Sequence, residues 1–160
     1  MSSMLTDALL CQRTLVYLDR LVDLAERELH RTRNQPAHRR LADMYRERLV
    51  HTRQRVARGG KGFLVEALGR LQEQGRVELV TSAATHAFLP LLAPFPEAVD
   101  AQLQVAVHHH HKVFGKRPAG IWLPECGYQE GFEHFLVAHR LDYFLVDTHG
   151  LLNARPRPLH

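Results

Sequence analysis

Three short apolar runs set the fold of residues 62–160: 77–81 (Val-Glu-Leu-Val-Thr), 119–123 (Ala-Gly-Ile-Trp-Leu) and 143–147 (Tyr-Phe-Leu-Val-Asp). Segments of helical periodicity lie around them, at 63–74, 98–114 and 131–140. Gly75 and Gly115 stop the first two. Strands alternating with helices pair in parallel, because each crossover helix returns the chain to the end of the sheet where the previous strand began. The last two runs are almost unbroken in apolar residues, which predicts strands covered on both faces. Residues 82–96 form a long connection carrying Pro90, Pro94 and Pro96, and the tail 153–160 reads as loop.

Residues 1–61 read differently. Leu15, Leu18, Val22, Ala25 and Leu29 recur at spacings of 3 and 4, predicting one amphipathic helix of about 25 residues. Residues 33–37 break it at Pro36, and a second stripe follows with Leu41, Tyr45, Leu49, Thr52 and Val56 until Gly59-Gly60. The expected division is therefore an arginine-rich helical hairpin over 1–61 and a parallel β/α segment over 62–160.

Charge is uneven. Residues 1–61 hold 13 basic and 7 acidic side chains, a net +6, whereas 62–160 carry −2. A basic third raises nucleic acid as a partner, but charge alone is weak evidence, and solvated arginine-rich helices explain it as well. No apolar run approaches the roughly 18 residues of a membrane span. No basic region followed by an apolar stretch marks a signal peptide at the N-terminus. Two cysteines, Cys11 and Cys126, make no disulfide framework, and a reducing cytoplasm is the expected compartment. The chain has no GxGxxG after a strand, no GxxxxGK[ST] and no GxSxG, so nothing points to a nucleotide or to a hydrolase serine. His108 to His111 include an i, i+3 pair, yet they lie mid-helix with no paired cysteine or carboxylate. His110 falls on an apolar stripe with Leu103, Val107 and Phe114. No cofactor and no metal is expected.

In parallel α/β proteins, chemistry gathers just past the carboxyl ends of the strands. His86 follows the first run, Glu125 and Cys126 the second, and Asp147 and His149 the third. Glu125 sits near Trp122, the only tryptophan, whose ring offers a platform for a flat or sugar-like ligand. A carboxylate there suits covalent or acid/base work, or else it is a helix-start carboxylate near the 127–131 turn. His86 either polarises a ligand or bonds backbone in a proline-rich loop. Asp147 and His149 carry the same two readings, and Cys126 is a reactive thiol or an inert, buried one.

At these strand ends the chain resembles glycoside hydrolase family 57, and most closely its 1,4-α-glucan branching enzymes. Residues 75–92, with Thr81-Ser82-Ala83-Ala84-Thr85-His86-Ala87-Phe88 at their centre, are similar to the family's second conserved region. Gly120-Ile121-Trp122-Leu123-Pro124-Glu125-Cys126-Gly127-Tyr128 resembles its third, and residues 143–152 fit the same enzymes. The arginine-rich hairpin resembles a helical insertion between early barrel strands. The resemblance implies an α/β fold, a partial (β/α)7 barrel incomplete at both ends. It implies retaining chemistry on α-1,4-glucans such as amylose or glycogen-like polymers, and hence a place in glycogen synthesis. Glu125 maps to the nucleophile. His86 maps to the donor sugar subsite, Trp122 and Cys126 to the wall around it, and Asp147 and His149 to substrate-binding positions. The family's His-any-His first region is absent, and its general-acid aspartate belongs beyond residue 160, since Asp147 lacks that motif context. The chain therefore reads as an internal fragment, inactive alone, aggregation-prone, and needing the missing barrel segments of a full-length parent. Alternatives are a 4-α-glucanotransferase or α-amylase of the same family, or a non-catalytic glucan- or nucleic-acid-binding module.

Overall fold

The computed structural model describes residues 2–156; the last four residues of the tail read as loop lie outside the described residues. Twelve elements follow in order: α1 (Ser2–Leu5), α2 (Ala8–Arg31), α3 (Pro36–Gly59), α4 (Phe63–Glu73), β1 (Thr81–Ser82), a 3₁₀ turn (Leu89–Leu92), α5 (Pro96–Phe114), β2 (Gly120–Trp122), a second 3₁₀ turn (Pro124–Cys126), α6 (Phe132–Ala138), β3 (Tyr143–Leu145) and α7 (Thr148–Leu152). They divide into two compact units, Met1–Leu71 and Gln72–His160. The division falls within α4, ten residues beyond the boundary expected at 61/62.

In the first unit, α2 and α3 make the hairpin. Asp7 caps α2 by accepting the Leu10 N–H at 2.8 Å, and Thr32 closes it with its hydroxyl donating to the Glu28 carbonyl at 2.6 Å. Pro36 at the first turn starts α3, where its missing N–H costs nothing. The seam of α3 is turned by about one residue from the expected stripe. Ala42 is buried, while Leu41 and Tyr45 stay more than half exposed. A small side chain permits close approach of two backbones, and the long arginines beside it close the seam: Arg53 Nε lies 2.8 Å from Asp19 Oδ1, and Arg46 Nε lies 3.7 Å from Glu26 Oε1.

The second unit holds a three-stranded parallel sheet in the order β1-β2-β3. The helix α5 links β1 to β2 and α6 links β2 to β3, as the alternation predicts. Pro96 opens α5, and left-handed Gly115 ends it, its N–H reaching the His111 carbonyl at 2.8 Å. Val99, Leu103, Ala106, Val107 and His110 form the buried stripe of α5. Together with Ala83, Leu89, Ile121, Leu123, Phe132, Leu136 and Leu141 they build the core.

Two expectations need correction. The first strand is Thr81–Ser82 and not 77–81. At Leu79 the backbone N–H donates to the Gln72 side-chain oxygen at 3.3 Å, so the chain is tied to the end of α4 before it reaches β2. Nor are the strands covered on both faces. In register, Thr81, Ile121 and Phe144 align, as do Ser82, Trp122 and Leu145. Side chains alternate along a strand, so these triplets occupy opposite faces. Ile121 is fully buried in the core and Phe144 packs against it. Trp122 and Leu145 remain 42% and 40% exposed. Gly120 lies on that open face, where a Cβ would collide with the ring of Tyr143.

Candidate active site

The carboxyl end of β2 delivers the central group. Leu123 is buried and fixed, and the chain then turns through Pro124, Glu125 and Cys126, with the Cys126 N–H donating to the Leu123 carbonyl at 2.9 Å. Glu125 (φ 55°) and Cys126 (φ 53°) both adopt the left-handed region. Residues with a Cβ seldom do so, and such strain concentrates where a side chain must be aimed. The turn throws the Glu125 side chain outward, 78% exposed.

The end of β1 supplies its neighbour. The His86 N–H donates to the Ala83 carbonyl at 2.9 Å, and His86 is also left-handed, at φ 57°. Its ring returns over the strand end. Nδ1 lies 3.2 Å from Ser82 Oγ, and Nε2 faces Glu125 Oε1 at 3.9 Å. The backbone of His86 thus closes a turn while its side chain faces the carboxylate. Trp122 ends β2 in register with Ser82.

The third strand end meets the second. Asp147 stands at the start of α7 without capping it, and its carboxylate neighbours the Cys126 thiol. Burial first, and the Asp147 charge and hydrogen bond next, push that thiol up from its ordinary value. Cys126 is therefore held as the thiol, disfavoured as a nucleophile. His149 lies in α7; no hydrogen bond or ion pair of its ring joins it to the others among the described residues.

Sequence reasoning missed Glu133. This residue, not Glu125, is the helix-start carboxylate: it sits in the first turn of α6 and accepts the Gly131 N–H at 2.8 Å. It also accepts the Tyr128 hydroxyl. That hydrogen bond, with burial behind it, pushes Tyr128 up to about 12, and the same bond, with backbone hydrogen bonds, holds Glu133 below the usual carboxylate range against the opposing effect of burial. The Tyr128 ring stacks on Phe144 of β3 with centroids 5.3 Å apart and planes 8° from parallel. Loop 127–131 is thereby fastened beside the Glu125 turn. A glutamate two residues after Gly131, at a helix start, was the available signal. The histidine run of α5 gathers no metal-binding group of three among the described residues.

Ionisable groups collected at the carboxyl ends of parallel strands are the site arrangement of α/β enzymes. The sequence profile described as glycosyl hydrolase family 57 matches residues 16–159, and the chain belongs to that family. It is 42% identical over 102 residues to a 1,4-alpha-glucan branching enzyme of Thermococcus kodakarensis, a match that takes in 54% of this chain and 15% of that relative. The fold is similar to the alpha-amylase AmyC of Thermotoga maritima, with TM-score 0.86 and 37% identity over 99% of this chain and 30% of that one. It is also similar to the GH57-type branching enzyme of Pyrococcus horikoshii, with TM-score 0.80 and 30% identity over 98% of this chain and 32% of that one. The chain thus spans about a third or less of the length of these relatives.

Proposed function

We propose that this chain is a segment of the catalytic barrel of a retaining α-glucan-active enzyme, most closely a 1,4-α-glucan branching enzyme, with Glu125 as nucleophile. The observation that carries this reading is the solvent-facing Glu125 carboxylate, aimed by a left-handed turn at the end of the central strand and flanked by His86. In the reaction, a Glu125 oxygen attacks C1 of the donor sugar. The glycosidic C1–O bond breaks, and its electron pair leaves with the oxygen, which takes a proton from a general acid. The resulting glycosyl ester on Glu125 is then displaced by the 6-hydroxyl of an acceptor glucan, giving an α-1,6 branch. His86 and Trp122 line the donor subsite, Cys126 with Asp147 forms its wall, and His149 lies at its rim.

The general acid belongs to a part of the enzyme outside these 160 residues. So do the remaining strands of a (β/α)7 barrel, whose inner surface is the open face bearing Ser82, Trp122 and Leu145. The partner is an α-1,4-glucan, the compartment is the cytoplasm, and the pathway is glycogen synthesis. Free, half-buried Cys11 and Cys126 suit a reducing environment, and no helix of the described residues is long and apolar enough to cross a membrane. Likeness to an alpha-amylase favours a second reading, in which water replaces the acceptor hydroxyl.

The test is linkage analysis of amylose treated with the full-length enzyme. New α-1,6 branches support branching, and reducing ends alone support the amylase reading. Glu125→Gln should abolish turnover while glucan binding persists; near-normal turnover in that variant overturns the nucleophile assignment. The 160-residue chain by itself should make no branches, and branching by it would overturn the placement of the acid elsewhere.

A further inference from the structure

Ser82, His86 and Glu125 lie in sequence at the strand ends, with the His86 ring between the hydroxyl and the carboxylate, and the chemistry of the two outer groups bears on the proton in the middle. Ser82 closes β1, paired in register with Trp122. The left-handed turn at His86 brings the ring back so that Nδ1 meets Ser82 Oγ at 3.2 Å, while Nε2 faces Glu125 Oε1 at 3.9 Å. A carboxylate has acceptor sites and no proton to give. A neutral ring that turned an unprotonated Nε2 toward it would set lone pair against negative oxygen. The nitrogen facing Glu125 therefore carries the hydrogen. Nδ1 then holds the lone pair, and the Ser82 hydroxyl is the donor that meets it.

We infer that Ser82 is a positioning residue that selects the Nε2–H tautomer of His86 and so keeps a hydrogen-bond donor aimed at the Glu125 carboxylate. With a donor held toward Oε1, the other oxygen is left to attack. At 3.9 Å the Nε2–Oε1 contact is longer than a hydrogen bond, and it tightens when a donor sugar expels water from the exposed pair. The inference rests on the reading of Glu125 as nucleophile for its catalytic meaning; the tautomer itself does not depend on that reading.

Long-range proton–nitrogen NMR of the nitrogen-15-labelled 160-residue chain in alkaline buffer, where imidazoles are neutral, reads the tautomer directly. The His86 signals are assigned by their loss in His86→Asn. The expected spectrum has a pyrrole-like Nε2 and a pyridine-like Nδ1. Ser82→Ala should move both resonances toward a mixture of tautomers, and Ser82→Thr, which keeps the hydroxyl, should restore them. A wild-type ring protonated at Nδ1, or a spectrum unchanged by Ser82→Ala in a chain with wild-type circular dichroism, overturns the inference.

A second arm follows labelling of Glu125 by 5-fluoro-α-maltosyl fluoride in the full-length enzyme. Here the carboxylate forms a bond to C1 as fluoride departs with the electron pair, so no general acid is required. Ser82→Ala should slow labelling about fivefold to tenfold, the size of one lost hydrogen bond, and Ser82→Thr should recover most of the rate. Labelling at the wild-type rate in Ser82→Ala overturns the positioning role alone. A Ser82-dependent tautomer together with a wild-type full-length enzyme that takes no label instead overturns the Glu125 reading.

Discussion

Leu123 joins the core to the site, and truncating it measures how firmly the Glu125 turn is anchored. Its side chain is completely buried between β2 and the helices, two residues before Glu125. Leu123→Ala removes three buried carbons, each contributing about 0.8 kcal/mol of transfer free energy, or about 2.4 kcal/mol together. The cavity left behind adds to this, since the strand cannot collapse without dragging Ile121 from its place, so a loss of about 3–4 kcal/mol is expected. Native domains hold only about 5–15 kcal/mol, so this one change removes a large share. Urea unfolding of dilute protein, followed by fluorescence, reports it cleanly because Trp122 is the only tryptophan and lies next to the substitution. The midpoint should fall with little change in slope. Leu91→Ala is the control: Leu91 is 76% exposed and should lose less than about 0.5 kcal/mol. A loss below about 1 kcal/mol for Leu123→Ala, or equal losses for the two variants, refutes the packing described here.

Two further outcomes follow from ionisable groups. Tyr128, pushed up to about 12, is stabilising below its unfolded value near 10, and that contribution is lost as pH rises from 10 toward 12. Glu133, held low, acts in the opposite sense: its contribution is present above the ordinary carboxylate range and lost as pH falls through its depressed value. Glu133→Gln should therefore bring the phenolate absorbance transition of Tyr128 back toward 10 and weaken the acid dependence; an unmoved Tyr128 titration contradicts the clasp. His110 is buried against Phe114, its Nε2 finds no hydrogen-bond partner among the described residues, and burial lowers it from its ordinary value. The unfolded chain then takes up a proton below about 6.5 that the folded chain refuses, so stability falls as pH drops through that range. His110→Leu should flatten this acid loss and match or exceed wild-type stability at pH 7; an unchanged acid slope argues against a neutral, buried ring.

The helices were legible because their punctuation is chemical. Pro36 can begin a helix but not continue one, and Gly60 and Gly115 take the positive φ that ends one; Pro96, expected within the 82–96 connection, instead opens α5 two residues before the expected start at 98. The parallel pairing of the strands followed from alternation. The strand limits did not, because pairing at 77–80 is decided by a side chain, Gln72, that takes up the Leu79 N–H. The seam of α3 was misplaced for a similar reason: the larger Leu41 and Tyr45 dominate any hydrophobic pattern, yet Ala42 is the residue that is buried. At the candidate site, the positions of His86, Glu125, Cys126 and Asp147 could be read from the rule that strand ends carry chemistry. Their conformations could not, since left-handed backbone at a histidine, a glutamate and a cysteine leaves no glycine to announce it. A helix-start role stood as one of two readings of Glu125 because Glu125 and Glu133 lie close to the same glycine-bounded turn, and it is Glu133 that fills it.

Glu125 as the nucleophile is the claim on which the functional account stands. Incubating the full-length enzyme with 5-fluoro-α-maltosyl fluoride and mapping the adduct by peptide mass spectrometry tests it without any need for a general acid. One sugar ester on the peptide containing Glu125, absent from Glu125→Gln, is the predicted result. An adduct on Asp147 or another carboxylate, or none on correctly folded protein, contradicts it.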